Sequence, residues 1–131
     1  MTEVSPEIRY ARRKENFLKA VARLERVVAL SPFEDIELLL IKAFELSFES
    51  AWMCLKDRLQ LDCALFQPSP KPTIQTAFKA GYISNGPIWM KMLESWNLSC
   101  FSYDDETAQL IAGKIRSIYL AELSKYAAAI S

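Results

Sequence analysis

The side chains able to do chemistry in this chain of 131 residues fall into two groups. The first lies on the segment 44–59, FELSFESAWMCLKDRL, where Glu45 and Glu49 are four apart and Lys56 and Asp57 follow. At helical spacing Glu45 and Glu49 share a face. Paired carboxylates can divide acid and base roles. Most residues in such patterns instead form solvated i,i+4 pairs, and that reading is the stronger one. The second group lies on the segment 96–103, WNLSCFSY, which offers the amide of Asn97 and the phenol of Tyr103 beside Trp96 and Phe101. The chain has no His, and no Arg between Arg58 and Arg116. Cys54, Cys63 and Cys100 have no metal-ligand spacing, so no zinc site is expected.

These residues need helices to position them. Ser5 and Pro6 open a first helix, from about Glu7 to Leu30, with Phe17, Val21, Leu24 and Val28 as its apolar stripe. Ser31-Pro32 ends it and opens a second helix, to about Leu61. That helix carries Phe44, Phe48, Trp52, Leu55 and Leu59 on one face. The short connection makes the two antiparallel neighbours. Ser69 caps a third, short helix with Pro70 at its first position, and Gly81 ends it. Asn85-Gly86-Pro87 starts a fourth, through Trp89, Met92, Leu93 and Trp96. Asp104 caps a fifth, to about Ile130, with Ala108, Ile111, Ile115, Ile118, Glu122 and Tyr126 on one side. No strand pattern appears. The expected fold is all-α: one domain over 1–131, an antiparallel up-and-down four-helix bundle with an extra short helix.

Composition narrows the function classes. Sixteen basic and sixteen acidic residues cancel, whereas a general nucleic-acid binder shows a basic excess. The balance is local as well: residues 1–30 carry seven basic and four acidic groups, and residues 31–60 carry three and six. Opposite signs suit neighbouring helices, and a solvated basic face on the first helix is the plainer reading. Three unclustered cysteines read as reduced thiols of a cytoplasmic protein, with Cys54 and Cys100 as packing residues. The segment MTEVSPEIRYARRK has no apolar core, so no signal peptide is expected. The longest aliphatic run, 38–41, is too short to span a bilayer.

The segment 44–59 resembles the second helix of the nucleotidyltransferase substrate-binding proteins, a family within the wider HEPN group. The likeness continues through Ser69-Pro70, TIQTAFKAGYI and GPIWMKMLESWNLSCFSYDDETA, so order and spacing hold over 44–108. The resemblance implies a non-catalytic subunit of a small nucleotidyltransferase, commonly a homodimer whose cleft forms where the helix-four regions of two protomers meet. The partner would supply the active site and metal, since this chain has no Gly-rich phosphate loop and no Gly-Ser with paired Asp. No cofactor of its own is expected, and any nucleotide or RNA contact would come through the partner.

One departure decides against catalysis. HEPN ribonucleases carry a segment resembling Arg-Asn-x-x-x-His-x-Tyr. Here Trp96 stands at the Arg and Phe101 at the His, while Asn97 and Tyr103 remain. Such a ribonuclease needs a cation for the scissile phosphate and a titratable group for proton transfer. Indole and phenyl supply neither, and packing or interface roles are the stronger reading for both. By resemblance, Tyr103 is the hydroxyl a partner can modify with nucleotide; the competing role is packing beside the Asp104 cap. Asn97 either faces the cleft or bonds the local backbone. The candidate substrate- or partner-binding residues are therefore Tyr103, Asn97, Trp96, Phe101, Glu45, Glu49 and Lys56. A ribonuclease toxin of a toxin–antitoxin pair and a plain helical adaptor are the competing functions.

Overall fold

Ser5 starts the first helix as its pattern requires: its Oγ accepts from Ile8 N at 3.2 Å, and α1 runs Pro6–Val28. The structure, a computed structural model, describes residues 4–101 and 104–131, with the backbone alone at 101. The second helix, α2 (Ile36–Leu61), begins five residues after Ser31 rather than at it. Asp35 adopts a left-handed conformation (φ 63°) there and makes no side-chain cap bond. An Asp tolerates that region better than most residues, so the chain turns before the helix can start. The third helix, α3 (Pro70–Lys79), is preceded by Ser69, whose side chain does not cap it, contrary to expectation. The first-turn amide of Thr73 reaches Ser69 O at 3.0 Å instead.

Glycine is required at two places. Gly81 has φ +84° and ends the short helix, a conformation that costs a β-carbon dearly. Gly86 begins α4 (Gly86–Phe101), and a Cβ there would come within 3.0 Å of the Phe78 ring. Asn85 accepts from Ile88 N at 3.2 Å to start that helix. Asp104 then caps α5 (Asp105–Lys114) by accepting from Thr107 N at 2.7 Å.

The last helix contains a feature that periodicity did not announce. Between α5 and α6 (Leu120–Ile130) the chain forms a π turn, Ile115–Tyr119, without breaking the helical run. A π turn accommodates an extra residue. The buried positions run Ala108, Ile111, Ile115, Tyr119, Leu123 and Tyr126, so Ile118 and Glu122, expected inside, are only half-buried. The turn delivers Tyr119 inward. Its ring stacks on Phe44 at 5.3 Å, and its hydroxyl meets Ser95 Oγ at 2.7 Å and Lys91 O at 3.1 Å.

Pairwise contacts fix the helix directions. Arg13 meets Asp57 and Ala20 meets Ser47, so α1 and α2 are antiparallel. Glu45 meets Ser99 and Phe48 meets both Trp96 and Trp89, so α4 also opposes α2. Trp89 meets Tyr126 and Ser95 meets Tyr119, so α6 opposes α4. The core is built on Trp89, Tyr119, Phe17, Phe44 and Phe48, all fully buried. Helices account for all regular structure among the described residues, with no strand, and none is long and apolar enough to cross a membrane.

Candidate functional site

The two groups of polar residues on α2 lie at different heights in the molecule. Twelve residues separate Glu45 from Asp57, about 18 Å of helix at 1.5 Å per residue. Glu45 belongs to the end where α4 finishes. Its Oε2 accepts from Ser99 Oγ at 2.8 Å and sits 3.8 Å from Cys100 Sγ. Ser99 Oγ is also 2.9 Å from Trp96 O, so its one proton has an acceptor on α2 and another in its own helix. Trp96 is half-buried, its ring 5.4 Å from that of Phe48. Asn97 and Leu98 follow it on the exposed side, and Glu49 is exposed one turn along α2 from Glu45. Trp96, Asn97, Glu45 and Glu49 thus share one end of the α2–α4 seam. Phe101 closes α4, but its side chain, like all of Tyr103, lies outside the described residues.

Next to this seam α2 and α5 both begin, and their first turns border a groove of about 210 Å³ lined by Asp35, Glu37 and Asp105. Sequence reading placed Asp105 in a helix's first turn but had no means of joining it to Asp35, 70 positions earlier. Among the described residues no three His, Cys, Asp or Glu side chains converge as metal ligands.

Lys56 and Asp57 belong to the opposite end and form a different structure from the one expected. Asp57 is not a solvated partner in an i,i+4 pair: its side chain is 1% exposed, under α1. Arg13 Nε donates to Oδ2 at 3.2 Å, Arg9 Nε lies 3.8 Å from the same oxygen, and Lys56 Nζ lies 3.8 Å from Oδ1. Three cations surround one carboxylate whose Oδ1 receives no hydrogen bond. Lys56 also lies over the Trp52 ring, 5.8 Å from its centroid. The basic bias of residues 1–30 was the available sequence signal. Part of it is spent on this buried acid rather than on a solvated face.

The thiols divide too. Cys54 is buried, as expected of a packing residue, but Cys100 is exposed on α4, and so is Cys63. Burial pushes the Cys54 thiol up to about 11 from an ordinary 9.0. A thiol this far from ionising is a poor nucleophile. Cys63 should therefore react quickly with a disulfide reagent in the native protein, Cys100 more slowly because desolvation and the neighbouring Glu45 carboxylate raise its thiol, and Cys54 only on unfolding. The sign for stability follows from the same burial. A folded pKa above the unfolded one stabilises the fold below pH 9, and that contribution is lost as pH rises toward 11. Melting temperatures measured from pH 8 to 11 should fall, and less steeply in Cys54→Ala.

What this arrangement can do alone is limited. Among the described residues the α2–α4 end offers an indole, an amide, a hydroxyl and two carboxylates. A family model described as nucleotidyltransferase substrate binding protein like matches residues 12–131, well beyond the segment 44–108 that carried the resemblance. No curated protein matches the chain at a significant level. With the match extending through both terminal helices, the chain belongs to the nucleotidyltransferase substrate binding protein-like family.

Proposed function

We propose that this protein is the non-catalytic subunit of a small nucleotidyltransferase, to which it presents either a substrate-binding groove or its own Tyr103. The observation that carries the reading is the family match over 12–131 together with Trp96 and Phe101 at the positions where a HEPN ribonuclease has Arg and His. An ancestral RNA-cleaving site would have lost its cation and its proton carrier, leaving a surface for recognition. In this reading residues 1–131 form one HEPN-like domain, an up-and-down antiparallel four-helix bundle with α3 as the extra helix. The protein works in the cytoplasm as a homodimer, with the α4 regions of two copies meeting beside Trp96, Asn97 and Phe101. Glu45 and Glu49 border that cleft. Lys56 lies at the other end of α2 and contacts the partner rather than the cleft.

The Tyr103 phenol is a competent nucleophile once a base or metal in the partner activates it. Asp104, Asp105 and Glu106 follow it directly and repel a nucleoside triphosphate, so transfer requires a divalent cation to screen them. The test is intact mass after incubation with a small nucleotidyltransferase that binds this protein, ATP and Mg²⁺. Wild type should form a complex and gain one adenylyl group on the phenol oxygen as pyrophosphate leaves ATP, and Tyr103→Phe should form the complex without the gain. A gain in both removes Tyr103 as the acceptor and leaves the groove. No complex and no gain in either overturns the reading.

A further inference from the structure

The zero net charge of the chain hides an uneven surface. Arg12, Lys19, Arg23 and Arg26 are all exposed on α1. With 3.6 residues per turn they fall within about 60° of one another around the helix. Arg9 and Arg13 flank this row on the side of α2, where both reach the buried Asp57. From Arg9 to Arg26 the row is about 26 Å long at 1.5 Å per residue.

Most of this charge is not answered within the protein. Lys19 pairs with Glu15 at 3.0 Å, but Arg12, Arg23 and Arg26 make no ion pair with any described residue. Around Asp57 the cations Arg9, Arg13 and Lys56 share a single carboxylate, so positive charge is left over there too. Within α1 the spacing also sets like charges together. Arg9 with Arg12 and Arg13, Lys19 with Arg23, and Arg23 with Arg26 are three or four positions apart. Such pairs repel and weaken a helix. A surface that met only water would gain nothing from them, whereas an anion laid along the row relieves them.

We propose that this flank of α1 binds the phosphate backbone of a single-stranded nucleic acid. A protein interface needs an apolar centre. Between Arg12 and Arg26 the arc of about 80° that holds the cations contains one other residue, Asn16, and no apolar one. Three of the four exposed cations are arginines, whose planar fork matches phosphate oxygens. The length of the row spans roughly seven phosphates of a stacked strand at 3.4 Å each. Tyr10 and Phe17, the aromatics of α1, lie on its core side, so no ring is offered for a base to stack on. Recognition is therefore of phosphates and independent of base sequence. The inference goes beyond the nucleotidyltransferase reading and stands apart from it, because the assay needs this chain alone.

Fluorescence anisotropy of a labelled uridine oligoribonucleotide, about twelve residues long so that it covers the row, reads binding to the full chain. Affinity should fall between about 50 and 200 mM salt with a log–log slope near −3, the value for about four phosphates on a single strand. A cytidine oligonucleotide of the same length should bind equally. Arg12→Ala and Arg23→Ala change exposed side chains outside the core and should fold normally by circular dichroism. Each should weaken binding several-fold at low salt and make the slope shallower by about 0.7. Lys114→Ala removes the same charge from an exposed position on α5 and should change neither quantity. No binding at low salt, or equal losses in Lys114→Ala and Arg12→Ala, would overturn the proposal. Displacement of the RNA by polyglutamate as effectively as by unlabelled RNA of equal charge would also overturn it, making the flank a surface for acidic protein instead.

Discussion

Phe48→Ala should lower the unfolding free energy by about 3–5 kcal/mol, the usual cost of deleting a fully buried aromatic side chain. Phe48 has no exposed surface and joins three other rings: Phe44 at 6.1 Å, Trp89 at 6.4 Å and Trp96 at 5.4 Å. Those rings come from α2 and from both ends of α4, so the cavity left behind cannot close by moving one element. A domain of this size is stable by about 5–15 kcal/mol in total, so the variant should still fold, at a clearly lower urea midpoint. Phe48→Leu keeps most of the volume and should cost about 1.5 kcal/mol or less. The comparison has functional content, because Phe48 is the seat of Trp96. If Trp96 forms part of a cleft, Phe48→Ala should disturb association more than an equally destabilising substitution remote from α4. Urea unfolding gives the stability, and sedimentation at protein concentrations where each variant is folded gives the association. A stability loss under about 1 kcal/mol for the alanine variant would mean that the α2–α4 seam closes readily without the ring.

The parts of this fold that could be read from sequence are those fixed by neighbours in the chain. Ser5 and Asp104 cap because each must satisfy an amide three residues on, and both do so. Gly81 ends α3 because only the backbone of a few residue types takes φ +84° cheaply. The stripe through Phe44, Phe48, Leu55 and Leu59 is buried because 3.6-residue periodicity carries it, and Trp52, expected on the same face, is only half-buried. Apart from Ser69, a local cap that does not form, the misreadings share the opposite property. The start of α2 depends on how the chain leaves α1, the π turn on Tyr119 finding Ser95 and Lys91, and the burial of Asp57 on Arg9 and Arg13 lying 44 or more positions away. Identity at one position cannot reveal a partner so distant. The same holds for a cavity of about 340 Å³ bounded by Tyr10, Lys14, Arg58, Tyr82 and Tyr126, whose walls come from α1, α2, α6 and the loop after α3.

The arginine clamp on Asp57 carries the second large effect. Arg13→Ala removes the one hydrogen bond that the carboxylate receives and should cost about 1.5–3 kcal/mol, the range for a bond to a charged group. Asp57→Ala should cost a similar amount. Arg9 and Arg13 are 47% and 33% exposed and can turn to water, so the stranded cations add little, while the lost carboxylate leaves a void under α1. The double variant should cost much less than the sum, because each single change already breaks the same contact. A coupling energy near 2 kcal/mol would mark the pair as the clasp between the start of α1 and the end of α2. Since Asp57 is shielded from solvent, the coupling should persist in high salt, unlike that of an exposed pair such as Lys19 with Glu15. The clasp also lies beside the cavity: Tyr10 and Lys14 each follow one of its arginines in sequence, and Arg58 follows Asp57. A coupling below about 0.5 kcal/mol would reduce the cluster to four charges that happen to be near one another. The expected result instead makes Asp57 the point at which the charge pattern of the first two helices becomes structure.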